Sequence, residues 1–241
     1  MKRRKVVCIA MAFVQSLLLL AGCGNRENET GITGQSAVNG HIDFDVLNEQ
    51  NEEIFAWIYV PGTNIDMPIA QSAVQDGFYE DHNWKKEDDE NGCAYTEMAN
   101  LINMCDFNTV VHGKSNEAET MFSELHKFSD EEFFEKNGQV YVYLPDNVLT
   151  YQVVAVHNED KCSIIKEYNL TSYEGCESYI HDLKEKAVQT GVYREGWEKL
   201  TPRHFLLTLV MECPEEEGTQ EVITAVLVQD AAKKIDRVIY K

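Results

Sequence analysis

Thiols, imidazoles and carboxylates are the side chains through which this sequence could do chemistry. It holds 7 cysteines and 7 histidines among 241 residues, with 41 acidic against 21 basic side chains. A metal site is not indicated, because no His-x-x-x-His, Cys-x-x-Cys or similar ligand spacing occurs. Covalent catalysis would need a thiol beside a base, and the types are present in Cys213 and His112, each at the end of an apolar run. Each also has an ordinary reading. Pro214 directly follows Cys213 and ends its strand, which suits a half-buried structural thiol, and His112 suits a satisfied strand-end histidine. Pairing Cys93 with Cys105, or Cys162 with Cys176, would close short loops, each worth about 3 kcal/mol. The same cysteines read equally well as small buried hydrophobes.

The elements that must carry these groups follow from the apolar patterning. Ile42–Trp57 (IDFDVLNEQNEEIFAW) spaces Phe44, Leu47, Ile54, Phe55 and Trp57 roughly as a helix. IYVPGTNIDMPIAQ reads as a short strand, a Pro-Gly turn and a second strand with Ile65, Met67 and Ile69 alternating. Cys105–His112 has the β-branched character of a buried strand, and Met121–Phe134 returns to helical spacing with Ser129 as N-cap. Strands follow at Gln139–Leu144 and Leu149–His157. Ser172–Thr190 is an amphipathic helix capped by Ser172 and ended by Gly191. Two apolar strands, His204–Met211 and Glu221–Gln229, close the chain. Many strands and few helices predict a mainly β fold, a closed or nearly closed barrel with appended helices.

The N-terminus sets the compartment. Lys2, Arg3, Arg4 and Lys5 precede an uncharged apolar stretch from Val6 to Leu20 and then Leu20-Ala21-Gly22-Cys23, a secretory signal pattern too short to span a bilayer. Small residues before a cysteine resemble the lipobox of bacterial lipoproteins. The expectation is a signal peptide over 1–22, lipidation of Cys23, a polar tether over 23–40 and a folded domain over 41–241 on the outer face of the membrane. A formal charge of -20 excludes nucleic acid as a partner, since phosphate binding needs clustered Lys and Arg.

Several strings, taken in order, resemble class B sortases, the cysteine transpeptidases that attach surface proteins to the cell wall. They are AWIYVPGTNIDMPIAQ, GFYEDHN, NTVVHGKSNEAETMFSELHKF and LLTLVMEC, and the similarity runs from about Glu53 to Val228. The resemblance implies an eight-stranded barrel with an N-terminal helix and a long helix, here Ser172–Thr190, between strands six and seven. No cofactor and no metal are implied.

Sortase chemistry is acyl transfer: a thiolate attacks, a histidine protonates the leaving amine, and an arginine steadies the oxyanion. Laid without gaps, the family's histidine string puts Lys114 on the histidine, and its cysteine string puts Glu212 on the cysteine. Counting along the last strand places Gln220, or else Glu221, on the arginine. The resemblance thus implies a framework with substituted chemistry, an ammonium–carboxylate pair of Lys114 and Glu212 replacing imidazole and thiol. Such a domain would bind a sorting-signal-like peptide or another surface protein. The alternative is an active cysteine transpeptidase in which a one-residue bulge brings Cys213 to the nucleophile position, with His112 on the same strand face as its base.

Overall fold

Strands rich in Val, Ile, Leu and Thr form one sheet that curls until its two ends pair. The computed structural model describes residues 36–37, 42–116, 118–212 and 218–237; the signal peptide, Cys23, Cys213 and most of the expected tether lie outside them. The strands are β1 (Ile54–Tyr59), β2 (Asp66–Ala70), β3 (Ala94–Tyr95), β4 (Asn108–Lys114), β5 (Gln139–Leu144), β6 (Asn147–Asp160), β7 (Val192–Tyr193), β8 (Leu206–Glu212) and β9 (Thr219–Asp230). They run in the order β5-β1-β2-β3-β4-β8-β9-β6, and the pairing of β5 with β6 closes an eight-stranded barrel, leaving the two-residue β7 as an addition along β6. Closure removes the free edges that an open sheet would expose. The β2–β3 and β4–β8 pairs are parallel.

Both faces of the strands that matter here are covered, so their sequences read as continuous apolar runs rather than as alternation. On β8, Leu207, Leu209 and Met211 point into the barrel with Val111 and Ile223. Leu206 and Val210 point outward, where Val110 and Val222 join them under Tyr179, Ile180 and Leu183. Those last three belong to α4 (Tyr173–Thr190), the long helix between β6 and β8. Ser172 caps it by accepting from Gly175 N. It stops at Gly191 because the chain there passes so close to β6 that a Cβ would lie 1.9 Å from the Val156 carbonyl oxygen. The helix is fastened by a buried polar chain in which Tyr179 OH meets Thr208 Oγ1 at 3.0 Å and Thr224 Oγ1 at 3.3 Å, and Thr208 donates to Asn108 Oδ1 at 2.8 Å.

Three expectations need correction. The helix expected over Ile42–Trp57 is only α1 (Phe44–Gln50), after which Asn51 turns extended and buried. Its amide donates to Tyr79 OH and the Trp84 carbonyl, and the unbroken apolar run from Ile54 to Ile58 becomes a barrel strand buried on both faces. The helix expected over Met121–Phe134 is a 3-10 segment, Ser123–Ser129, followed by α2 (Glu131–Lys136). Its cap is Asp130, which accepts from Phe133 N, while Ser129 Oγ donates to Glu221 Oε1 at 2.9 Å. Strand β4 starts and ends later than the expected Cys105–His112 because it pairs along all of β8.

Within the expected tether, Ser36 and Ala37 are docked, both bonded to the Asp66 carboxylate. Cys93, Cys105, Cys162 and Cys176 are free thiols, so neither pairing suggested by their spacing is formed. Among the described residues no helix is long and apolar enough to cross a membrane.

Candidate functional site

Strand register, rather than proximity in sequence, assembles the site. Lys114 on β4 is the direct partner of Glu212 on β8, Glu212 of Gln220 on β9, and Gln220 of Glu159 on β6. Period-2 alternation from Val110, Val210 and Val222 puts this whole row on the outer face of the barrel. Two residues back on the same face runs a second row, from Tyr95 through His112, Val210 and Val222 to His157. Gly113 separates Lys114 from His112 and faces inward, where a Cβ would lie 2.5 Å from the Phe122 ring.

Side-chain contacts then divide the row. Lys114 Nζ donates to the Glu90 carbonyl at 2.9 Å, and Glu212 pairs with Lys161 at 2.7 Å. The ion pair expected between Lys114 and Glu212 is therefore not made among the described residues, although the two are neighbours. Gln220 Nε2 donates to Glu159 Oε1 at 2.8 Å and to the Cys162 carbonyl at 3.3 Å. Glu159 also receives Lys186 at 2.5 Å, with His157 Nε2 at 3.4 Å. Burial alone would raise its pKa; hydrogen bonds from His157, Lys186 and Gln220 prevail and hold it at about 2. Glu221, the other candidate for the arginine position, points into the barrel with Ile223, and burial raises its pKa despite the Ser129 hydroxyl.

His112 lies against Tyr95, with ring centroids 5.1 Å apart, and its Nε2 sits 3.6 Å from Glu97 Oε1, too far for a hydrogen bond. Burial lowers its pKa against the pull of the Glu97, Glu80 and Glu212 carboxylates, which favours the neutral ring. A recess of about 10 Å³ opens beside it between Glu80, Cys93, Tyr95, Lys114 and Glu212, at the lower limit for one water. Cys213 follows Glu212 and lies outside the described residues.

Three groups not singled out from the sequence, Glu97, Glu159 and Lys161, complete the site. The flanking charges at the end of β6 were the only hint of the last two, and nothing local marked Glu97. One set of metal-type ligands, His181, Asp182 and Glu185, occurs among the described residues, exposed on α4. Asp182 accepts from Tyr168 OH, and His181 with Glu185 is an ordinary pair one helical turn apart.

No protein-family model matches the chain. It is similar to sortase B of Listeria monocytogenes, 27% identical over 181 residues that cover 69% of this chain and 72% of the relative. Among solved structures, a mutant form of Clostridium perfringens sortase B is 28% identical with a TM-score of 0.69, covering 77% of this chain and 86% of that one. A Bacillus anthracis sortase B in complex with AAEK1 is 25% identical with a TM-score of 0.67, covering 77% and 84%. A Staphylococcus aureus sortase B–substrate complex, 20% identical with a TM-score of 0.67 over 77% and 84%, shares the fold.

Proposed function

We propose, from the premise that this chain is a class B sortase-like protein by sequence and by barrel, that it no longer carries out acyl transfer and serves as a binding domain. One observation carries the reading: the outer-face row consists of an ammonium, a carboxylate and a carboxamide, Lys114, Glu212 and Gln220. Glu212 cannot form a displaceable thioester. The Lys114 ammonium is directed at the Glu90 carbonyl, and Gln220 offers a neutral amide already bonded to Glu159 and Cys162 where a charged fork would serve an oxyanion. The Staphylococcus aureus relative is known in a complex with substrate, and the corresponding ligand here is an extended peptide resembling a sorting signal, or a segment of a surface protein. The LAGC string supports a domain outside the cell, held by a lipid on Cys23.

The test is to incubate the full-length chain with a sorting-motif peptide and an amine acceptor and follow intact mass. No acyl adduct and no transfer product are expected. A thioester on Cys213 that disappears in His112→Ala would establish instead the transpeptidase reading, which the neutral, unpartnered His112 Nε2 favours. For the anchor, Cys23→Ser should release the protein or leave it unprocessed; unchanged membrane retention and mass would remove lipidation.

A further inference from the structure

The connection between β6 and α4 runs beside the row just described and is fastened to its Glu212, Gln220 and Glu159 side chains. Lys161 N donates to the Gly218 carbonyl at 2.8 Å, which pins the start of the connection to the β9 side. Lys161 Nζ then reaches Glu212 at 2.7 Å. The Cys162 carbonyl accepts from Gln220, and Cys162 Sγ lies 3.5 Å from Glu159 Oε1. Ser163 Oγ donates to Glu97 Oε1 at 3.1 Å, and Lys166 Nζ stands 3.8 Å from the other oxygen of that carboxylate. Ile164, buried in the outer apolar cluster, and Ile165, partly buried against it, are the hydrophobic anchors of the span that includes α3 (Ile164–Glu167).

These contacts take up the carboxylate of Glu212, the amide of Gln220 and the carboxylate of Glu97, which are the groups an extended ligand would need. The fastening is nonetheless light. Lys161 is 53% exposed and Lys166 73% exposed, and ion pairs of exposed side chains contribute little.

We propose that Lys161–Glu167 form a strap over the side chains of Glu212, Gln220 and Glu97, latched by Lys161 on Glu212 and by Ser163 and Lys166 on Glu97, and that it must lift before a ligand reaches those groups. The strap rests on the binding-domain reading but is read out separately, because it carries its own reporter. In the closed state burial, with Glu159 and Glu167 nearby, pushes the Cys162 thiol up to about 12 and keeps it unreactive. Lifting the strap takes the thiol away from Glu159 on β6.

The experiment is the rate at which a methanethiosulfonate reagent modifies Cys162 in the full-length chain, mapped by peptide mass. Each exposed ion pair should shift the opening equilibrium by about 1.5- to 5-fold, so Lys161→Ala with Lys166→Ala should label Cys162 about 2- to 25-fold faster. Raising ionic strength from about 0.05 to about 0.5 M should speed the wild type and leave the double variant unmoved. Lys184→Ala, which removes a contact from α4 to the Glu198 carbonyl away from the strap, should change nothing. A wild-type rate insensitive to salt, or a double variant of native melting temperature that labels no faster, overturns the strap. Neither result bears on Cys213 acylation, and a thioester at Cys213 would overturn the binding-domain reading while leaving the Cys162 rates to stand or fall alone.

Discussion

Glu212 and Lys114 are register partners on parallel strands, yet their charged ends part, one to Lys161 on the β6 side and the other to the Glu90 carbonyl on the opposite side. Two opposite charges side by side therefore serve to brace two different loops against the barrel.

Glu212→Cys should create a thiol without creating a transpeptidase. The position is partly exposed and sits beside the Lys161 ammonium, which favours thiolate. Its modification by a methanethiosulfonate should be at least about tenfold faster than that of the buried Cys93, whose thiol burial pushes up to about 12. No acyl transfer to an amine acceptor should appear until Lys114→His and Gln220→Arg are added. Transfer by the single variant would show that the lysine and the glutamine suffice for the proton and oxyanion roles.

Acid should loosen the junction of β6, β9 and α4 through Glu159. Its folded pKa, about 2, is depressed below the usual carboxylate value near 4.5. The stabilisation is therefore complete above about pH 4.5 and is lost as pH falls towards about 2. Glu159→Gln should flatten that part of the pH dependence of melting temperature while lowering stability at neutral pH, since Lys186 then loses its carboxylate partner. A variant with the wild-type acid profile would assign the loss to other groups.

The barrel was legible because its strings are set by turn residues and apolar runs: the Pro-Gly turn before Ile65, the strand Gln139–Leu144, and the helix begun by Ser172 and stopped by Gly191. The stretch Ile54–Trp57 misled because a strand buried on both faces has no alternation, so its apolar residues fit a helical spacing as easily. Lys114, Glu212 and Gln220 could be aligned from sequence, and β4, β8 and β9 place them in one row. Their partners could not be aligned, because Glu97, Glu159 and Lys161 reach the row through a loop and a strand end whose pairing only the closed sheet decides.

Tyr179→Phe should test how α4 is held over the site. The hydroxyl is buried and shared between Thr208 and Thr224, with Asn108 behind them. Removing it leaves two buried hydroxyls short of a partner at a cost of about 1–3 kcal/mol, visible as a lower denaturant midpoint with unchanged slope. A neutral result would mean that the Thr208–Asn108 bond alone satisfies the chain.

Glu221 offers the opposite sign. It lies on the inner face with Ser129 Oγ on its carboxylate, and burial raises its pKa above the ordinary value, with the Ser129 bond and the His126 side chain opposing. A raised carboxylate favours the folded state at low pH and disfavours it increasingly as pH climbs past the unfolded value of about 4.3. Glu221→Gln keeps the shape and an acceptor for Ser129 but carries no charge to bury. The variant should melt higher than the wild type at pH 7, and the difference should vanish near pH 4. Were Glu221→Gln instead destabilising at pH 7, the carboxylate would have to be making a charged contact inside the barrel stronger than its burial cost, and Ser129 alone could not account for it.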